Sequence, residues 1–222
     1  MSGRIKRIGH FLFGKVLYRV VEYNKPDLSD KNYIIAPNHV SDADGPIIWT
    51  HNNNIRIMAK KECFENKLFG KFLTKLDVVP VDRDKKNGTE IREAIRYLSK
   101  DEKHLFMLFP QGTISDINKN AITRIRRGAF YLSATTNTPI IPVFIEQPRL
   151  FRKSRIVYGD EFIVKDIHDE KGQVDKEKLV PYRKLWQDKV LELQAIAEEK
   201  ENRKVRNLKL KKQHRNNNNP KE

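Results

Sequence analysis

A histidine and an aspartate five positions apart, His39 and Asp44, are the residues of this 222-residue chain whose types and spacing best suit chemistry. Across a tight turn, a carboxylate at this spacing can fold back onto one imidazole nitrogen. It then fixes the tautomer and stabilises the imidazolium, and the other ring nitrogen is left to take a proton from a hydroxyl. Because no serine or cysteine with a recognisable nucleophile elbow accompanies the pair, that hydroxyl would belong to a substrate. The pattern alone leaves open a solvated turn histidine beside a capping aspartate.

The flanking residues predict that His39 lies in a turn between a strand and a helix. Residues 33–36 are apolar and β-prone, and Pro37 ends the run because proline cannot donate to a β-ladder. A glycine and a proline then open a second apolar run, residues 46–49, which is typical of a helix with proline in its first turn. Asp44 is the expected cap of that helix. The turn would aim the histidine into a cleft.

Asn38, His39 and Asp44, directly after an apolar strand, resemble the first motif of the glycerolipid acyltransferase family, which includes the 1-acylglycerol-3-phosphate acyltransferases. The resemblance covers about residues 10–165. It implies that His39 is the general base, that Asp44 orients it, and that Asn38 contacts the substrate. It also implies that residues 26–170 form the catalytic domain.

The Pro-Val-Asp-Arg sequence that ends at Arg83 resembles the tail of the second motif of this family. The resemblance implies that Arg83 binds the phosphate of the acceptor, and a planar guanidinium suits that role because it can grip a phosphate with paired hydrogen bonds. The alternative is an arginine satisfied by its neighbours Asp82 or Asp84.

The segment from Phe109 to Ser115 resembles the third motif, Phe-Pro-Glu-Gly-Thr-Arg-Ser, but departs from it at both charged positions. Gln111 stands in place of the glutamate and Ile114 in place of the arginine. Glutamine keeps hydrogen-bonding capacity without charge, whereas isoleucine removes a possible phosphate ligand. The resemblance implies that Gln111, Gly112 and Thr113 line the substrate site.

Other cations close in sequence could replace the missing arginine as phosphate contacts. These candidates are Lys103, Arg124, Arg126 and Arg127. No metal or other cofactor is expected, because carboxylates spaced like Asp42 and Asp44 beside one histidine make poor evidence for a metal site. One cysteine in the whole chain excludes an internal disulfide framework.

Apolar strand-like and helix-like segments alternate between residues 33 and 160. This order predicts a single α/β domain with a mostly parallel or mixed central sheet flanked by helices. An apolar strand with a central proline, residues 139–145, resembles the fourth and least specific motif of the family. A helix is expected within residues 171–200, followed by a basic, disordered tail over residues 201–222.

The charge balance is strongly basic, with 44 Lys and Arg against 29 Asp and Glu, which gives a formal net charge of +15. Such an excess implies an anionic partner. Residues 1–25 read as a basic amphipathic helix too polar to span a bilayer, which lies either in a membrane interface or packed on the domain. Nucleic acid is not expected, because the cations are not interleaved with aromatic residues.

Taken together, the resemblance implies acyl transfer from acyl carrier protein or coenzyme A to 1-acylglycerol-3-phosphate, giving phosphatidic acid in phospholipid biosynthesis. The enzyme would work at the cytoplasmic face of the cell membrane as a peripheral or monotopic protein. Two alternatives stay open. One is a related enzyme with another lysolipid or an amine lipid as acceptor, and the other is a non-catalytic basic protein that binds membrane or nucleic acid.

Overall fold

A mixed β-sheet with helices on both faces forms the protein. The computed structural model describes residues 7–8, 10–52, 55–65, 67–75, 78–81, 88–100, 103–114, 124–167, 169 and 174–217. The strands within these ranges are β1 (Val21–Tyr23), β2 (Tyr33–Pro37), β3 (Ile55–Lys60), β4 (Val79–Val81), β5 (Leu105–Met107), β6 (Ile140–Ile145) and β7 (Arg155–Tyr158). The helices are a π-helix (His10–Leu17), α1 (Asp44–His51), α2 (Lys67–Lys75), α3 (Thr89–Leu98), α4 (Gly128–Thr136) and α5 (Val180–Asn217), with short 3₁₀ turns at Lys61–Phe64 and Glu177–Leu179.

The strand order across the sheet is β1-β7-β6-β2-β5-β3-β4. Strands β6, β2, β5, β3 and β4 run parallel to one another, whereas β7 runs antiparallel to β6 and carries β1 parallel to itself. The carboxyl ends of β2, β5 and β6 therefore meet at one edge of the sheet. This architecture confirms the predicted single α/β domain with a mixed sheet.

The central strand β2 is buried on both faces, which explains its unbroken apolar sequence. Ile34 packs into a core cluster that contains residues of α4 and α5, such as Phe130 and Trp186. Ile35 points the other way, into a cluster that contains Ile47 of α1. Both faces of the sheet are thus sealed by helices, and the strand ends are left as the place for a site.

The N-terminal segment differs from the predicted helix over residues 1–25. The π-helix ends at Leu17, and Arg19 has a φ of 45°, a left-handed conformation that a helix cannot continue through. The next residues form β1, which pairs with β7 at the edge of the sheet. The prediction was wrong here because valines that fit an amphipathic helix fit an edge strand as well.

The C-terminal segment also differs from its prediction. The helix begins at Val180, within the expected residues 171–200 and with a proline in its first turn, but it continues to Asn217 through most of the segment expected to be disordered. Residues 201–217 include four lysines, three arginines and two leucines, which favour helix without needing an apolar face. Helix propensity thus explains why the helix extends past the predicted end. No helix among the described residues is both long and apolar enough to cross a membrane.

Trp186 links α5 to the central strand β2 through a buried hydrogen bond. The side chain is fully buried, and its indole Nε1–H donates a hydrogen bond of 2.8 Å to the carbonyl oxygen of Ala36. Ala36 lies two residues before Asn38, so this bond supports the strand end that carries the site.

We expect Trp186→Phe to lower the free energy of unfolding by about 2 kcal/mol, because the buried Ala36 carbonyl would lose its hydrogen bond from the indole and the smaller ring would leave a void. Urea unfolding followed by far-ultraviolet circular dichroism measures the change. Leu185→Ala is the matched control, since Leu185 lies on the same helix but is 37% exposed. Equal losses in the two variants would show that the buried hydrogen bond contributes nothing.

Candidate active site

The turn between β2 and α1 is organised by the carboxylate of Asp44. Its Oδ2 lies 3.0 Å from Nδ1 of His39 and accepts hydrogen bonds from the N–H groups of Val40 at 2.7 Å and Ser41 at 2.8 Å. Asp44 is fully buried, and no described residue hydrogen-bonds its Oδ1. A buried carboxylate in such a setting stabilises positive charge on the imidazole that it contacts. The structure thus brings His39 and Asp44 together as their spacing predicts.

Asp44 does not cap α1 in the way that the sequence suggested. Ala43 occupies the N-cap position, and no side chain bonds the free N–H groups of the first turn. The carboxylate turns backwards onto the loop, where two backbone N–H groups and an imidazole offer more donors to a buried charge than a helix end does.

The imidazole of His39 is held in one plane. It stacks on the ring of Phe109 at a centroid distance of 3.9 Å and an interplanar angle of 13°. The His39 side chain is 18% exposed, and since Nδ1 faces Asp44, Nε2 is the nitrogen available to a substrate hydroxyl. Sequence reasoning assigned no role to Phe109. The available signal was an aromatic residue at the end of a strand, directly before the third-motif turn.

Gln111 joins the third motif to the first. Its Oε1 accepts a 2.8 Å hydrogen bond from the backbone N–H of His39, and the residue is 2% exposed. A buried side chain with this contact positions the main chain of the histidine. The predicted contact of Gln111 with a substrate remains a prediction.

Asn38 joins β2 to β6. The side-chain oxygen accepts a 2.6 Å bond from the N–H of Ile145, and Nδ2 donates a 2.9 Å bond to the carbonyl oxygen of the same residue. The side chain is fully buried, so the geometry gives Asn38 a positioning role and offers no support for the predicted contact with substrate. Nothing in the sequence pairs residues that lie 107 positions apart.

Arg126 is the predicted cation that the structure brings to the third motif. Its backbone N–H donates to the carbonyl oxygen of Pro110 at 2.7 Å, and its side chain lies against Gly112, where an added Cβ would overlap the guanidinium Nε. Gly112 has a φ of 71°, so glycine is needed there for conformation as well as for space. Thr113 and Ile114 follow as exposed residues of the same turn.

The remaining residues predicted to contact phosphate differ in where they lie relative to the third motif. Arg124 and Arg127 are exposed neighbours of Arg126. Lys103 is wrong as a candidate, because it precedes β5 and so lies at the opposite edge of the sheet, about 20 Å of extended chain from Phe109. Proximity in sequence misleads here because a strand separates the two positions. Arg83 lies outside the described residues.

The described residues hold no group of three or more His, Cys, Asp or Glu side chains arranged to bind a metal ion.

A sequence model of the family described as Acyltransferase matches residues 19–146 of the chain, more than half of its length. The chain belongs to the acyltransferase family. The matched segment runs from just before β1 to just after β6, so it contains the His39 turn and the third motif but not the C-terminal helix.

Two bacterial relatives carry the name 1-acyl-sn-glycerol-3-phosphate acyltransferase. The protein from Bacillus subtilis is 32% identical over 143 residues, which cover 60% of this acyltransferase and 68% of the relative. The protein from Streptococcus pneumoniae is 29% identical over 122 residues, covering 54% of this chain and 43% of that protein. Crystallised 1-acyl-sn-glycerophosphate acyltransferase from Thermotoga maritima shares the fold, with a TM-score of 0.65, 20% identity, and coverage of 87% of this chain and 78% of that one.

We expect Asp44→Asn to reduce kcat by at least about 100-fold, because a neutral amide neither stabilises the imidazolium nor accepts all the donors that face Oδ2. Steady-state acyl transfer measures the change. Asp42→Asn is the control, since Asp42 is an exposed carboxylate of the same turn. Similar losses in both variants would contradict a specific role for Asp44.

Gln111 variants separate positioning from charge. We expect Gln111→Leu to lower kcat about 10-fold or more, because the His39 N–H loses its acceptor. Gln111→Glu keeps an acceptor for that N–H, so we expect it to retain more activity than Gln111→Leu although it adds a negative charge. Full activity in Gln111→Leu would show that the bond does not position His39, and equal losses in both variants would show that the lost acceptor is not the cause.

Proposed function

We propose that this acyltransferase moves a fatty acyl group from a thioester donor to the free hydroxyl of 1-acylglycerol-3-phosphate, giving phosphatidic acid. The observation that carries the proposal is the imidazole of His39, held by the buried carboxylate of Asp44 and by the ring of Phe109 with Nε2 left for a substrate. The names of the bacterial relatives support this choice of acceptor.

The reaction follows from general-base chemistry. Nε2 of His39 removes the proton from the acceptor hydroxyl while the hydroxyl oxygen attacks the thioester carbonyl carbon. Asp44 stabilises the imidazolium that forms. The tetrahedral intermediate then collapses, the C–S bond breaks, and the imidazolium returns its proton to the departing thiolate. An ester and a free thiol result, and no covalent enzyme intermediate is needed.

Arg126 and Arg83 are the proposed ligands of the acceptor phosphate. Arg126 is supported by its contact with Gly112 of the third motif, and Arg83 by its place in the second motif. Because Ile114 supplies no charge where the family motif has arginine, the acceptor could also be another lysolipid or an amine lipid. The proposed donor is a thioester of acyl carrier protein or of coenzyme A, and activity is to be measured with both.

We place the enzyme at the cytoplasmic face of the cell membrane as a peripheral or monotopic protein. The support is the exposure of apolar residues along the N-terminal helix, with Phe11 59% and Leu12 43% exposed. The exposed cation Lys15 lies on the same helix, and Arg7 is exposed just before it. A helix of this kind suits an interface with anionic lipid.

We expect the purified protein to acylate 1-acylglycerol-3-phosphate from at least one of the two thioester donors, and His39→Ala to lose at least about 100-fold of that rate. Thiol release and thin-layer chromatography of the product measure both. Urea unfolding of the variant is measured in parallel, so that lost chemistry is separated from lost fold.

Acceptor choice is tested in the same assay by competition between 1-acylglycerol-3-phosphate and its dephosphorylated or amine-bearing analogues. Preference for the phosphorylated acceptor supports the proposal. A folded wild-type protein that is inactive with both donors on this acceptor, yet active on another, would overturn it.

A further inference from the structure

The loop between β6 and β7 presents two large apolar side chains to solvent. Leu150 is 58% exposed and Phe151 is 66% exposed. The exposed cations beside them are Arg149, Arg152 and Lys153. Residues 147–153 contain no aspartate or glutamate. An apolar tip ringed by positive charge is unusual on a protein surface that meets only water.

The backbone of this loop is held in a specific conformation. Phe151 has a φ of 60°, which bulky side chains rarely adopt. Its N–H donates a 2.5 Å hydrogen bond to the carbonyl oxygen of Leu17, and the N–H of Arg152 donates to the carbonyl oxygen of Arg149 at 3.1 Å. The aromatic ring is therefore exposed by a built turn.

The bond to Leu17 places the loop at the end of the N-terminal helix. That helix and the residues before it expose more apolar side chains, namely Ile8 at 60%, Phe11 at 59%, Leu12 at 43% and Val16 at 38%. Residues 1–21 contain no acid. We call residues 7–8, 10–17 and 149–153 the docking surface.

The loop of the docking surface leaves the sheet at the same edge as His39. The loop leaves β6 just after Ile145, whose backbone N–H and carbonyl both bond the side chain of Asn38. Asn38 is the chain neighbour of His39. Whatever the loop binds therefore lies on the side of the molecule where the base receives its substrate.

We propose that the docking surface seats the enzyme on an anionic phospholipid bilayer, with Leu150 and Phe151 inserted beside the N-terminal helix. The second insertion point fixes the orientation of the molecule, which a single helix lying in the interface would not. Exposed leucine and phenylalanine suit the acyl region, and the surrounding arginines suit anionic headgroups. The proposal rests on the proposed function in one respect, that the acceptor is a lipid delivered from this side.

The direct test places a reporter on the loop in the full-length protein. The native tryptophans, Trp49 and Trp186, are 4% and 0% exposed, so they respond little to lipid. We expect Phe151→Trp to shift its emission to the blue on vesicles of phosphatidylcholine and phosphatidylglycerol, and to be quenched by brominated acyl chains. Leu191→Trp, at a 45% exposed position of α5, is the matched control and should do neither.

A second test removes the apolar tip. We expect the double variant Leu150→Ser, Phe151→Ser to sediment with the same vesicles at least about 10-fold more weakly than wild type. Arg149→Gln with Arg152→Gln should weaken binding about 10- to 30-fold on anionic vesicles and leave binding to pure phosphatidylcholine nearly unchanged. Leu191→Ser is the control for loss of an exposed apolar side chain.

Vesicle binding is measured without a thioester, so its outcome is independent of catalysis. If the Phe151→Trp protein and the wild type are both inactive but the reporter is still quenched by lipid, the proposed function fails and the docking surface stands. Unshifted, unquenched emission on vesicles that sediment the protein would overturn the insertion of the loop. Unchanged vesicle binding by the serine variant, with a raised KM for acyl carrier protein, would show instead that the loop binds the carrier protein.

Discussion

A buried carboxylate holds the active-site turn in shape. Asp44 brings the imidazole of His39 and the N–H groups of Val40 and Ser41 to one oxygen. Since a buried charge is stable only when donors surround it, the turn must keep the backbone path that supplies them. The same contacts that stabilise the loop also orient the base. One set of hydrogen bonds therefore both stabilises the turn and orients the base.

The parallel sheet gathers the other parts of the site around that turn. Asn38 ties the end of β2 to the end of β6, and Gln111, beyond the end of β5, accepts the N–H of His39. Phe109, also beyond β5, sets the plane of the imidazole. Three strand ends thus support one histidine. A neutral glutamine can serve here because the task is to accept a backbone hydrogen bond, which needs no charge.

The chain sequence alone determined the order and type of most elements and the residues of the catalytic pair. Strands β2, β5 and β6 are continuous apolar runs because both of their faces are buried, so their signal survives without knowledge of their neighbours. His39 and Asp44 could be paired because the contact is local, spanning five residues and one turn. The sequence led to wrong predictions at β1 and at the end of α5, because the pattern of residues at each place is compatible with two different structures.

Only the tertiary structure decided which distant residues join the site. Asn38 meets Ile145 across 107 positions, and Phe109 meets His39 through the pairing of β2 with β5. The direction of β5 excludes Lys103 from the site, because a residue that precedes a strand lies at the edge of the sheet opposite to the residues that follow that strand. Sequence spacing measures distance along the chain, whereas strand pairing sets distance in space. The sequence therefore determined which reactive side chains the chain carries, and the sheet topology decided which of them meet in the active site.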